Sequence, residues 1–433
     1  MGDPTLSFAD SAAMAMIAFV LGLAGPPLRV SYLTCRRSYE PTLIEELVRN
    51  GVPAAACSVP IDAAVRVSDA SLLYEAHLRA SALMDPAYAL QILPAAVEVQ
   101  GDSVRLLTHA ALEVLDTPGD VVLLRAALRG SLRIHTLVPD LLCGGRTPRL
   151  LRRCEAIADG VSRTLRKRYP CARRATVGED ADAERPYTAE PVLLQLLLLS
   201  PERLALSLSP CERVAPRGTW PCWHLAAGLA DVDVAKTIRM PSSAYRKLSE
   251  ALACMEIWPS RNDRVVDLGA CPGGWTMALR RLGCEVTAVD RSPLDPILMA
   301  DAAVTFVQGD AFNFAPSWAR LEAGGEGQQP GSQEAVGLAL QDPQPSTWMV
   351  SDVIAYPERA VELVERWAKH GWAATMIVTM KFQGDEIDWD SLDHAAAVAH
   401  GCGYDFRAKH FFSNKNEVTM MLRHRAACGS AVT

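Results

Sequence analysis

Arg264-Val-Val-Asp-Leu-Gly-Ala-Cys-Pro-Gly-Gly-Trp275 is the stretch on which the fold turns. Arg264-Val-Val-Asp267 is a short apolar run of strand character, and a helix begins near Trp275. Glycines at 269, 273 and 274 let the backbone between them approach a ligand with no Cβ in the way. The run is neither GxGxxG nor a phosphate-binding GxxxxGK loop, because no lysine follows. Asp267, at the strand end, can meet a cationic amino-acid group. Asp290 closes the next strand, Glu285-Val-Thr-Ala-Val-Asp290, where a carboxylate can accept both hydroxyls of an adenosine ribose. Asp310, in Gln308-Gly-Asp310 after a third strand, is placed to approach the adenine edge. That set suits S-adenosylmethionine better than NAD. The cofactor candidates are therefore Asp267, Gly269, Ala270, Cys271, Pro272, Gly273, Gly274, Trp275, Asp290 and Asp310. Cys271 has no base partner in sequence and reads as a packed small side chain.

Working outward, strands and helices alternate. Val304-Thr-Phe-Val307 reads as the third strand and Thr347-Trp-Met-Val-Ser-Asp352 as the fourth, with a helix from about Glu358 to His370. Ala373 to Met380 reads as a fifth strand, and Glu417-Val-Thr-Met-Met-Leu422 as a late one. Repeated strand, crossover helix and strand predict an α/β, Rossmann-like, doubly wound parallel sheet. The tract 322–346, rich in Gly, Gln, Pro and Ser, reads as a flexible surface insertion.

Four polar residues stand where chemistry would be expected. Lys247 lies on a helix preceding the first strand, Asp352 ends the fourth, Lys381 ends the fifth, and Glu417 opens the last. C-terminal strand ends converge on the crevice of such a sheet, so Asp352 and Lys381 should face a transferable group, with Glu417 on a neighbouring antiparallel strand. A ribose hydroxyl is a poor nucleophile until its proton is withdrawn. A lysine amine can withdraw it if a second lysine nearby disfavours the ammonium. Lys381 is the expected base, with Lys247 biasing it and positioning the substrate oxygen. Asp352 and Glu417 would hold the amines in place.

The first half differs. All 9 tryptophans fall at or beyond Trp220, which marks a boundary near 200 to 220. Val30 to Cys35 reads as a strand, Pro41 to Asn50 as a helix, and Val97 to Leu107 and Val121 to Leu124 as later strands, which makes a small α+β region. The chain has 43 basic and 50 acidic side chains, a net charge of -7, which speaks against a surface that coats nucleic acid without specificity. Yet Arg146 to Arg174 holds ten Lys or Arg and two acids. Arg163, Arg166, Lys167 and Arg168 are its densest cluster and the expected RNA-phosphate contacts. The 12 cysteines form no CxxC pair, and Cys211, Cys222 and His224 lack the spacing of a structural zinc site, so no metal is expected. The uncharged run Ser11 to Leu28 ends in Gly25-Pro-Pro27 and is short for a membrane span. It reads as an apolar N-terminal extension, and no membrane partner is expected.

These residues carry a resemblance. Val265-Val-Asp-Leu-Gly-Ala-Cys-Pro-Gly-Gly-Trp-Thr276, the helix around Lys247 ending at Ala251, Trp348-Met-Val-Ser-Asp352 and Glu417-Val-Thr419, in this order, resemble the FtsJ/RrmJ-like ribosomal RNA ribose 2'-O-methyltransferase family and its Lys-Asp-Lys-Glu tetrad. Within it they are most similar to the bacterial RlmM-type large-subunit cytidine methyltransferases, over about residues 216–425. The resemblance implies S-adenosylmethionine as cofactor, ribosomal RNA or a ribosome precursor as partner, and Lys247, Asp352, Lys381 and Glu417 as catalytic residues. It implies cytoplasmic localisation for a bacterial chain, or mitochondrial for an organelle copy. Leu33-Thr-Cys-Arg36 with Tyr39-Glu-Pro41 resembles the start of that family's THUMP-containing, RNA-binding front half. The expected division is an extension at 1–28, an α+β RNA-recognition region at 29–210 and a methyltransferase domain at 211–433. The rival reading is a ribosome assembly or RNA-binding factor that keeps the fold without turnover.

Overall fold

The structure is a computed structural model that describes residues 29–73, 85–117, 131–138, 150–168, 176–177, 191–210, 239–318, 347–384 and 386–428. The run 11–28, the strand expected at 121–124, the cysteines at 211 and 222 and the tract 322–346 lie outside the described residues. The chain divides into two compact units, Met1–Leu229 and Ala230–Thr433.

In the first unit the strands are β1 (Val30–Thr34), β2 (Cys57–Ile61), β3 (Ala64–Val67), β4 (Gln91–Gln100), β5 (Ser131–Leu137), β6 (Thr176–Val177), β7 (Pro191–Ser200) and β8 (Arg203–Pro210). Among the described residues they form one sheet in the order β2-β3-β1-β4-β8-β7-β5-β6. Its helices are α1 (Glu40–Arg49), α2 (Val104–Leu115) and α3 (Leu151–Arg168). Helices α2 and α3 pack on one sheet face, where Leu107, Ala111, Ile157, Val161 and Leu165 meet Ile134, Leu194, Leu196 and Leu206. Leu197 and Leu199 of β7 point the other way, into a cluster with Tyr32, Leu93 and Ala205. A strand buried on both faces needs no polar alternation, which explains the nearly continuous apolar run of β7. The strand expected over Val97 to Leu107 is in fact the end of β4 and the start of α2. Between them Gly101-Asp102-Ser103 turns the chain, and the Ser103 hydroxyl caps α2 by accepting from the Leu106 amide at 3.2 Å. Serine before an apolar 3.6-residue period was the overlooked signal.

The second unit begins its described part with α4 (Tyr245–Met255), followed by β9 (Arg264–Leu268), α5 (Gly274–Arg281), β10 (Glu285–Asp290), a short α6 (Pro296–Met299) and β11 (Val304–Gln308). Then come β12 (Thr347–Ser351), α7 (Pro357–Lys369), β13 (Thr375–Lys381), α8 (Trp389–Gly401), β14 (Tyr404–Lys409) and β15 (Glu417–His424). The strand order is β11-β10-β9-β12-β13-β15-β14. Strands β9 to β13 are mutually parallel, whereas β15 runs antiparallel to β13 and β14 antiparallel to β15. The order reverses between β9 and β12, so the crossover chains leave in opposite directions and a crevice opens at their C-terminal ends. Strand β12 is buried at every residue. Helix α7 turns Ala360, Val361, Leu363, Val364, Trp367 and Ala368 inward as a stripe of helical period. Helix α8 and strand β14 were not expected from sequence. The signals were present: Asp388 caps α8, which carries Asp390 and His394 on its exposed side, and Tyr404-Asp-Phe-Arg-Ala-Lys409 alternates apolar and polar residues as a strand does.

Candidate active site

The turn after β9 begins at Gly269, whose φ of 74° lies in the left-handed region. A Cβ there would stand 2.9 Å from the Val353 Cβ. At Gly274 a Cβ would collide with the Ser242 hydroxyl. At both positions neighbouring protein atoms leave no room for a Cβ. Asp290 holds the same turn from β10. Its two carboxylate oxygens accept from the amides of Cys271 and Ser292, each at 2.9 Å. Cys271 is exposed, against the expectation of a packed side chain. Partial desolvation raises its thiol above the ordinary range, and nearby Asp290 adds to this.

Asp267 is 1% exposed and accepts a 2.6 Å hydrogen bond from the Thr276 hydroxyl. Burial pushes its carboxyl up to about 7; the neighbouring Asp352 and Asp290 carboxylates push the same way, and the Thr276 bond opposes them. Trp275 donates its indole N–H to the Ala244 carbonyl at 2.8 Å, tying α5 to the start of α4.

Between these parts lies a cleft of about 370 Å³ lined by Asp267, Gly269, Ala270, Cys271, Pro272, Gly274, Trp275 and Asp290, and also by Asp352 and Lys381. Ser242, Ala244, Val353 and Ile354 complete it, and none of these was expected. Val353 and Ile354 follow Asp352 directly, so proximity in sequence was the available signal. Asp310 does not line the cleft. It accepts from the Phe312 amide at 2.9 Å and is paired with Arg291, both of which lower its acidity range below the usual carboxylate value. Gly273 also stands outside the lining.

Lys247, Asp352, Lys381 and Glu417 meet at one place. The Lys247 Nζ donates to both oxygens of Asp352 at 3.0 Å and lies 2.7 Å from Glu417 Oε1. The Lys381 Nζ donates to the Asp352 backbone carbonyl at 2.7 Å and sits 3.1 Å from Asp352 Oδ1. Lys381 and Glu417 are direct partners in the β13–β15 register. Thr379, also overlooked, donates its hydroxyl to Asp352 Oδ1 at 2.8 Å. Side-chain exposures of 12% for Lys247 and 5% for Glu417, against 18% for Lys381, put Lys381 nearest the open side.

Arg163, Arg166, Lys167 and Arg168 are all exposed on the last turns of α3. They are not equivalent: Arg168 is engaged bidentately by Asp116 at 2.7 and 2.6 Å, and Arg163 donates to the Asp159 carbonyl at 3.3 Å. No helix among the described residues is long and apolar enough to cross a membrane.

Residues 240–388 match the model of the FtsJ-like methyltransferase family. The Ribosomal RNA large subunit methyltransferase M of Shewanella pealeana is 32% identical over 194 residues, covering 42% of this chain and 47% of its own. That of Laribacter hongkongensis is 28% identical over 247 residues, covering 54% and 60%. The chain thus spans about half the length of the curated relatives it matches. The Methanococcus jannaschii fibrillarin pre-rRNA processing protein aligns over 45% of this chain and 86% of its own at 11% identity, with a TM-score of 0.30, too low to bear on the fold. The cleft has groups such a cofactor could use: Asp290 keeps a lone pair on each oxygen that could accept from hydroxyls, and the Asp267 carboxyl lines the cleft. On the family match the chain carries an FtsJ-like methyltransferase domain, with S-adenosylmethionine as its cofactor.

Proposed function

We propose that the protein methylates a ribose 2'-hydroxyl of ribosomal RNA, in a large-subunit RNA or its precursor, with Lys381 as general base. The observation that carries this reading is the way Asp352 divides the two lysines. Lys247 spends its N–H donors on Asp352 and Glu417. Lys381 faces the cleft with two acceptors, the Asp352 carbonyl and Oδ1. A neutral amine has two N–H groups and one lone pair, so those two acceptors aim the lone pair outward. Lys247 then fixes the carboxylates and does not touch the substrate oxygen, a narrower role than the sequence suggested. S-adenosylmethionine supplies an electrophilic methyl group on a positive sulfur, which leaves as a neutral thioether. Lys381 Nζ would take the proton of the ribose hydroxyl and so leave its oxygen nucleophilic toward that methyl group. Lys247 and Asp352 hold Lys381 while its charge changes.

The relatives named above support the choice of RNA. The first unit is read as the RNA-recognition region, THUMP-like in part, with Arg163, Arg166 and Lys167 meeting phosphates and Arg168 held by Asp116. In the test, the full chain is incubated with labelled S-adenosylmethionine and ribosomal RNA, and the product is hydrolysed in alkali. Label in alkali-resistant dinucleotides marks ribose methylation; label in mononucleotides marks base methylation and overturns the proposed position. Lys381→Ala should lower the rate by about 10² to 10⁴ with cofactor affinity retained. A full rate in that variant removes Lys381 as base, and no transfer by the wild type favours an assembly factor.

A further inference from the structure

The five residues 352–356 join β12 to α7 and are pinned at both ends. Val353 packs against the Gly269 turn, and Pro357 is buried as α7 begins. The Tyr356 carbonyl accepts from the amides of Arg359 and Ala360 at 3.0 and 3.3 Å, which makes Tyr356 the N-cap of α7. Between these anchors two large side chains point into solvent. Ile354 is 87% exposed and Tyr356 63%, the two most exposed large apolar side chains among the described residues. Ile354 lines the same cleft as Asp352 and Lys381. Beside them Arg359, half-exposed and paired with Glu362, lies with its guanidinium 4.4 Å from the centre of the Phe312 ring. Arg291, on the loop after β10, is 76% exposed and pairs with Asp310 from the loop after β11.

Isolated exposed apolar residues are ordinary. Two on one rigid loop at the mouth of a reactive cleft, with guanidinium groups nearby, match the composition of single-strand RNA platforms. There, unstacked bases lie on aromatic or apolar faces and cations meet the phosphates. We propose that Ile354 and Tyr356 form a stacking platform for an unpaired RNA base beside the target ribose. The platform rests on the reading of the cleft as an RNA ribose methylation site. It holds the nucleotide so that its hydroxyl meets Lys381.

The test uses the full chain as wild type, Tyr356→Ala, Tyr356→Phe and Ile354→Ser. Three quantities are measured: affinity for fluorescein-labelled single-stranded RNA by anisotropy, kcat and KM for ribosomal RNA, and S-adenosylmethionine affinity by calorimetry. Tyr356→Ala and Ile354→Ser should each weaken RNA binding and raise KM about tenfold. Tyr356→Phe should stay within about twofold of wild type, because stacking needs the ring and not the hydroxyl. Cofactor affinity should be unchanged in both Tyr356 variants. Unchanged RNA affinity in Tyr356→Ala, or wild-type protein that fails to bind the labelled RNA, overturns the platform. Weakened cofactor binding in Tyr356→Ala assigns the loop to the cofactor and overturns it equally. Wild type that binds RNA, loses affinity in Tyr356→Ala and transfers no methyl keeps the platform and rejects the methylation reading.

Discussion

Asp267 is a carboxyl in two minds about its proton. In the folded chain burial pushes it up to about 7, whereas in an unfolded chain it titrates at the ordinary carboxyl value of 3.8. The folded state therefore binds the proton more tightly, so the group's contribution to stability is full below the unfolded value and is lost as pH rises through about 7. A ligand ammonium beside it favours the ionised form and opposes that trend. We expect S-adenosylmethionine to bind more tightly as pH rises from about 6 to about 8, and Asp267→Asn to bind weakly with a flat profile. Calorimetry at several pH values checks this; a flat wild-type profile would detach Asp267 from the ammonium. In the ligand-free protein, Asp267→Asn should raise Tm more at alkaline than at acidic pH. Thr379 gives a second residue-scale expectation. Thr379→Val keeps the shape but removes one of three donors to Asp352 Oδ1, which keeps Lys247 at 3.0 Å and Lys381 at 3.1 Å, so stability should fall by about 0.5–1.5 kcal/mol. Methyl transfer should fall about tenfold with cofactor affinity unchanged.

At the scale of elements, the turn between β9 and α5 is built around missing side chains. Gly274→Ala would drive a Cβ into the Ser242 hydroxyl, at about 1–3 kcal/mol in stability. Ser242→Gly should restore much of that loss in the double variant, and urea unfolding of all four proteins measures the coupling. Helix α3 separates its two faces in the same way. Ile157→Ala, in the core under α3, should cost about 2–5 kcal/mol. Arg163→Ala on the outer face should stay within about 0.5 kcal/mol of wild type. The second unit was legible because β-strands of a parallel sheet are short apolar runs and their ends carry the acids. Val97 to Leu107 misled for the converse reason: an amphipathic helix and a strand end share apolar residues, and only Ser103 separates them. Asp310 stands apart from the cleft lining, because a strand-end acid can also serve a neighbouring arginine. Thr379 and Val353 stayed hidden, since their value depends on what the fold sets opposite them.

For the whole molecule, the net charge of -7 says little about partners, because α3 gathers cations on one exposed face while acids are dispersed. If that face meets RNA, log affinity should fall linearly with log salt, by about 0.7 for each phosphate neutralised on a single strand. Replacing Arg163, Arg166 and Lys167 together by glutamate should flatten the slope by two to three such steps without lowering Tm. A slope unmoved by the triple variant would place RNA elsewhere. The antiparallel register of β13 with β15 has a consequence in time. Glu417 reaches Lys247 only once β15 has paired, and β15 is synthesised after the other described strands of its sheet. Until then Lys247 lacks one of its two carboxylates. A chain still emerging from the machinery that makes it would hold the cofactor turn in finished form and yet lack the complete charge cluster. The last strand acts as a closing contact in a circuit whose other parts are laid down earlier.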